Sequence, residues 1–87
     1  MTSPVLGRRR SSMEIVHRIL SVCAEGGCTK TTIMYRSNLS YQQLQRYLSL
    51  LFSQQLIEED EVGLYQITVP GKKTMRQVAR VIRSLST

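Results

Sequence analysis

Ile15, Val16, Ile19, Leu20 and Cys23 fall three or four residues apart, which is the spacing of one apolar helix face. Ser11 or Ser12 can cap this helix, Glu14 sits in its opening turn, and Gly26-Gly27 stops it. His17 falls on the opposite, polar side and has no assigned role. A second, short helix opens at Thr29 and runs to about residue 36, followed by the tight connection Ser37-Asn38-Leu39. Ser40 caps a third helix through about residue 53, and Gln43 completes a capping box. On this helix Leu44, Leu48 and Leu51 mark the core side, flanked by Tyr41, Tyr47 and Phe52. Gln42, Arg46, Ser49 and Ser53 form a polar stripe opposite, with Gln43 beside it and Leu50 intruding.

The pattern then changes period. Residues 55–59 read as a strand around Leu56-Ile57, and residues 64–68 as a second with alternating apolar positions. Asp60-Glu61-Val62-Gly63 is the turn between them, so the pair is a hairpin, ended by Pro70-Gly71. A last helix covers about residues 72–84. Its Met75, Val78, Ile82 and Leu85 are spaced as a short heptad seam. Arg76, Arg80 and Arg83 line a separate stripe of the same helix.

This order of elements predicts a mainly α fold with a small β-hairpin (α+β). It is the plan of a winged helix-turn-helix, with a three-helix core, a wing and a C-terminal helix. The expected division is a flexible basic arm over residues 1–10, carrying Arg8-Arg9-Arg10, then a winged domain over 11–70. Residues 71–87 form a basic amphipathic helix for packing or dimerisation.

A chain of 87 residues makes one domain, and a domain this small buries only ~60–65% of its unfolded surface. Hydrophobic residues at 41% and charged residues at 21% are a globular balance, which excludes a disordered chain. Twelve Lys and Arg against six Asp and Glu give a net charge of +6. Most of the cations are Arg, whose planar fork suits phosphate. A polyanion is the expected partner, although charge alone does not separate DNA from RNA, anionic lipid or an acidic protein. No apolar run approaches the ~20 residues of a membrane span, and no signal-type hydrophobic segment follows the basic start. The expected compartment is the cytoplasm. Two Cys and one His are too few for a four-ligand zinc site, so neither a metal nor a cofactor is expected. The Cys23–Cys28 spacing is not the CxxC of redox motifs, and whether the two pair is left open.

In a helix-turn-helix the second helix of the pair lies in the DNA major groove, here residues 40–53. Gln42 and Gln43 suit adenine and Arg46 suits guanine, with Ser40 and Ser49 on the same surface. The stripe carries no carboxylate. Lys30, Thr31 and the free amides opening the second helix suit a phosphate. Lys72, Lys73, Arg76, Arg80 and Arg83 make the last helix strongly basic and suited to backbone contacts. An enzyme is not expected, nor a small-molecule substrate: there is one His, one Asp and no Gly-rich phosphate loop. The alternative is a winged-helix protein-docking module in a larger complex. Binding of RNA or single-stranded DNA ranks lower, because most of the four Tyr and one Phe sit on apolar faces.

The run Gly27-Cys28-Thr29-Lys30-Thr31-Thr32-Ile33-Met34-Tyr35-Arg36-Ser37-Asn38-Leu39-Ser40 continues in Gln43-Leu44, Tyr47-Leu48, Leu56-Ile57, Tyr65-x-Ile67-Thr68 and Gly71. It resembles small archaeal winged-helix DNA-binding proteins, a family that includes dimeric ten-kilodalton chromatin proteins and predicted transcription regulators. The resemblance covers about residues 13–75. It implies duplex DNA binding through residues 40–53 and the wing, as a transcription regulator or chromatin-associated protein of an archaeal nucleoid. Two features depart from the family. The expected wing tip is acidic, with Glu58, Glu59, Asp60 and Glu61 in succession. The C-terminal helix is also short for the antiparallel coiled coil through which the dimeric members associate. The resemblance implies a homodimer through Met75, Val78, Ile82 and Leu85; alternatively, that seam packs on the first helix of its own chain.

Overall fold

The computed structural model describes residues 11–86, so the basic arm 1–10 lies outside the described residues. The first helix, α1 (Ser12–Ala24), starts where Ser11 and Glu14 cap one another. Ser11 Oγ accepts the Glu14 N–H at 3.1 Å, and Glu14 Oε1 accepts the Ser11 N–H at 2.9 Å. Two otherwise orphaned amides are thereby satisfied. Thr29 caps α2 (Lys30–Ser37) by accepting the Thr32 N–H at 3.1 Å. Asn38 ends it in the left-handed region at φ 55°, a conformation that Asn tolerates better than most residues. Ser40 and Gln43 form the expected capping box at the start of α3 (Tyr41–Ser53). Strands β1 (Ile57–Glu59) and β2 (Tyr65–Ile67) pair antiparallel, with Ile57 opposite Ile67 and Glu59 opposite Tyr65. The last helix, α4, spans Val69–Ser86. Four helices and a two-stranded hairpin in this order are a winged helix.

The core takes one face from each element. Ile15, Ile19, Leu20, Val22 and Cys23 of α1 meet Ile33 of α2, Leu44, Leu48 and Leu51 of α3, and Ile57 and Tyr65 of the hairpin. The Phe52 ring packs edge-on to Tyr65, with centroids 5.6 Å apart. Cys28 adds a one-residue bridge on the other edge of β2: its N–H donates to Tyr65 O at 3.1 Å, and its carbonyl accepts the Tyr65 N–H at 2.8 Å. This pairing is only one residue long, too short for a periodicity to announce it.

Two boundaries and one exposure differ from the sequence expectation, each for a local reason. The first strand starts at Ile57 because Gln55, at φ 60°, is left-handed and cannot be extended. The last helix starts at Val69 because Pro70 and Gly71 fall in its first turn, where a missing N–H costs nothing. Thr68 fixes this start by accepting the Gly71 N–H at 3.0 Å and donating its hydroxyl to Gln55 O at 2.7 Å. The backbone there is so close that a Cβ at Gly71 would collide with the Leu56 carbonyl oxygen. Finally, His17 does not simply face water. It is half-buried and lines a cleft between α1 and α4 with Glu14, Arg18 and Ile82.

Helix α4 lies along α1. Met75 packs against the core with its sulfur 3.8 Å from the Ser21 hydroxyl, which donates to His17 O at 2.8 Å. Val78 and Ile82 are half-buried, whereas Val81 and Leu85 stay exposed, Leu85 by 75%. Much of the predicted heptad seam is thus covered within its own chain.

Candidate nucleic-acid interface

The α2–α3 corner is set by a short turn closed by backbone hydrogen bonds. The Leu39 N–H reaches Met34 O at 3.1 Å and the Asn38 N–H reaches Tyr35 O at 3.2 Å, while the Leu39 side chain is buried. Arg36 holds α2 to the end of α1 through a two-pronged ion pair with Glu25, at 2.6 and 3.0 Å. That hydrogen bond keeps the exposed Glu25 carboxyl below its ordinary range. Arg18 adds a hydrogen bond to Arg36 O at 3.2 Å. Arg36 is therefore spent on orienting α2.

The outer face of α3 presents Gln42, Gln45, Arg46 and Ser49, all exposed and with no acid among them. Gln45 was absent from the sequence-based set. It lies about 60° around the helix from Gln42 at 100° per residue, within the same stripe. Its place one turn before Ser49 was the signal that could have found it.

Gln43 and Ser40 are exposed, but their side chains are engaged. Gln43 Oε1 accepts the Ser40 N–H at 3.0 Å, and Ser40 Oγ accepts the Gln43 N–H at 3.2 Å. A bidentate contact to adenine needs both a donor and an acceptor from the amide. With its oxygen turned back onto the Ser40 N–H, Gln43 is poorly placed to present donor and acceptor together while the cap stands.

Other exposed or half-buried groups have the chemistry to meet a sugar-phosphate backbone. Thr31 is exposed in the first turn of α2. Half-buried Lys30 holds its ammonium 5.9 Å from the Tyr41 ring centroid, a cation–π distance. Tyr35 is 85% exposed and Tyr41 58%, against the expectation that the aromatics sit on apolar faces. Both lie on the helix-turn-helix itself, where the turn orients them outward. Lys72 and Lys73 are exposed in the opening turns of α4, and Arg76, Arg80 and Arg83 are exposed along it.

The wing is acidic in fact as well as in sequence, but its four acids are not alike. Asp60 bolts the turn: Oδ1 accepts the Val62 and Leu64 N–H groups at 3.0 and 2.9 Å, and Oδ2 accepts Gln66 Nε2 at 3.1 Å. The bonds from the backbone hold its carboxyl below the usual aspartate range, that from Leu64 most strongly. Glu58, Glu59 and Glu61 remain exposed.

Among the described residues no cluster of three or more His, Cys, Asp or Glu side chains could hold a metal ion. No helix among them is long and apolar enough to cross a membrane.

Comparison with known proteins agrees with this geometry. Residues 9–86 match the family model described as winged helix-turn-helix. The uncharacterized protein MJ0287 of Methanocaldococcus jannaschii is 34% identical over 65 residues, covering 75% of this chain and 66% of its own length. The chain thus spans just under two thirds of that relative. Among solved structures, Sso10a-2, a DNA-binding protein from Sulfolobus solfataricus, superposes with a TM-score of 0.79 at 29% identity, over 88% of this chain and 83% of its own. ZitR of Lactococcus lactis shares the fold at 22% identity, with a TM-score of 0.69 over 91% of this chain and 56% of its own.

Proposed function

Because the chain belongs to the winged helix-turn-helix family, we propose that it binds duplex DNA with α3 in the major groove. The observation that carries this reading is the exposed, carboxylate-free stripe Gln42, Gln45, Arg46 and Ser49 on a helix held by a rigid turn. Arg46 reads guanine, and Gln42 and Gln45 read adenine. Gln43, engaged in the cap, contributes an NH2 donor, and Ser40 its hydroxyl proton. The likeness to Sso10a-2, described as a DNA-binding protein, supports the same conclusion.

Phosphates on either side meet Thr31, Lys30 and the hydroxyls of Tyr35 and Tyr41. Lys72 and Lys73 extend the contact along the backbone. Glu58, Glu59 and Glu61 repel phosphate, so the wing stands away from the duplex. The role is that of a transcription regulator or chromatin-associated protein in an archaeal cytoplasm, without enzymatic activity. A second copy joins through the outer part of α4, where Leu85 and Val81 are exposed and Val78 and Ile82 are half-covered. Met75 supports that surface from within. Two copies present two recognition helices to half-sites ~34 Å apart.

A protein-docking role is the second reading, favoured by the acidic wing alone. Binding to a labelled random-sequence duplex across a salt series separates the two, with the mass in solution recorded alongside. DNA binding gives a steep loss of affinity with salt, whose slope counts the neutralised phosphates. Absence of binding at low salt transfers the function to protein docking through the wing.

A further inference from the structure

One apolar side chain on the outer face of α3 has no part in the proposed interface. Leu50 is 49% exposed, while Leu44, Leu48 and Leu51 of the same helix are buried. It belongs neither to the core nor to the partly buried side chains packed on it. A single exposed leucine is ordinary on a protein surface. Its surroundings set this one apart. Leu50 follows Arg46 by four residues, which places it about 40° around the helix and about 6 Å further along the axis. Gln42, Gln45 and Ser49 on the same face are polar, and all are exposed.

Ser53 continues the polar stripe one turn beyond Ser49, but its hydroxyl donates to the Leu50 carbonyl at 2.7 Å. The same carbonyl accepts the Gln54 N–H at 3.1 Å. These bonds close the helix end, engage the Ser53 proton and fix the backbone that carries Leu50. The C-terminal part of the face therefore presents a branched hydrocarbon rather than a donor.

On the reading that α3 enters the major groove, we propose that Leu50 is a specificity residue that packs on the 5-methyl group of a thymine. The base edges in that groove offer donors and acceptors to Gln42, Gln45 and Arg46, and the thymine methyl is the apolar group among them. With base steps of ~3.4 Å, Leu50 meets that methyl within about two steps of the guanine read by Arg46. Removing one methyl group from water is worth about fourfold in affinity.

The test selects a preferred duplex with the full-length protein, then replaces each of its thymines in turn by deoxyuridine, which pairs identically and lacks only the methyl. Near the guanine that Arg46→Ala ceases to select, one such change lowers wild-type affinity about fourfold. Leu50→Ala melts as wild type does, binds the thymine duplex about fourfold more weakly and no longer distinguishes it from the deoxyuridine duplex. Arg46→Ala binds more weakly overall and keeps the distinction. Leu50→Gln, similar in length and helix preference, repeats the test if Leu50→Ala proves less stable. The proposal is overturned by a wild type indifferent to every thymine methyl, by a selected site with no thymine near that guanine, or by a folded Leu50 variant that still distinguishes the two duplexes. In each of these cases α3 remains the reading helix so long as Arg46→Ala relaxes a guanine. An Arg46→Ala protein with unaltered selection instead overturns the placement of α3, and the methyl contact with it.

Discussion

The amide oxygen of Gln43 holds the backbone N–H of Ser40 at 3.0 Å, so one of the glutamines at the start of α3 serves the helix before it serves any ligand. The neighbouring Gln42 has no such duty in the cap. The two should separate on mutation. Gln43→Ala lowers the melting temperature and leaves most of the sequence preference. Gln42→Ala leaves melting unchanged and relaxes the preference at one adenine. Paired thermal melts and binding-site selections distinguish the two outcomes.

Arg46 is exposed in the α3 stripe, so Arg46→Ala should keep the fold. It should cost about 1–3 kcal/mol of specific affinity and relax selection at one guanine. Titrations against a selected site and its single-base variants measure this. Unchanged binding to every variant would mean that α3 is not the reading helix.

Lys72→Ala and Lys73→Ala should weaken binding evenly across sequences. Each should reduce the slope of log affinity against log salt by about one contact. A salt series on the double variant against wild type reads the change directly. An unaltered slope places α4 away from the duplex.

Asp60 is held ionised below its ordinary value of 3.8 by bonds within the hairpin turn. Its stabilising contribution is therefore present above pH 3.8 and disappears as the pH falls through the lower folded value. Asp60→Asn should be less stable than wild type at neutral pH, and the gap should narrow on acidification below 3.8. Thermal melts of both proteins over that range check it. A gap that persists in strong acid would locate the effect elsewhere.

Leu48 is buried in the common core. Leu48→Ala should destabilise the domain by about 2–5 kcal/mol, as for a truncated core leucine. Denaturant unfolding measures it. Unchanged stability would require α3 to be rotated about its axis.

The fold was legible because its signals are local and mutually consistent. Ser11, Thr29 and Ser40 are all caps, and Asn38 is the left-handed stop between the two helices of the turn. The burial of Leu44, Leu48 and Leu51 follows from spacing alone. What escaped depended on neighbours distant in sequence. The Cys28–Tyr65 bridge needs the folded chain to exist, as does the docking of α4 on α1 that half-covers His17 and Ile82. The site was less legible than the fold. Exposure of Gln45 could be read from the helix wheel, but engagement of Gln43 in its cap competes with a base contact, and a polar stripe does not record which of its amides is already occupied. Tyr35 and Tyr41 looked apolar by type and proved to be surface groups.

Gly71 sits where no side chain fits, against the Leu56 carbonyl, while Thr68 ties the same turn to Gln55. The joint between hairpin and C-terminal helix therefore has no slack. Were a second copy to dock near Leu85, this joint would pass the push on to the hairpin instead of absorbing it. Lengthening the hairpin at its tip would leave that transmission intact, whereas one residue inserted beside Gly71 would uncouple it.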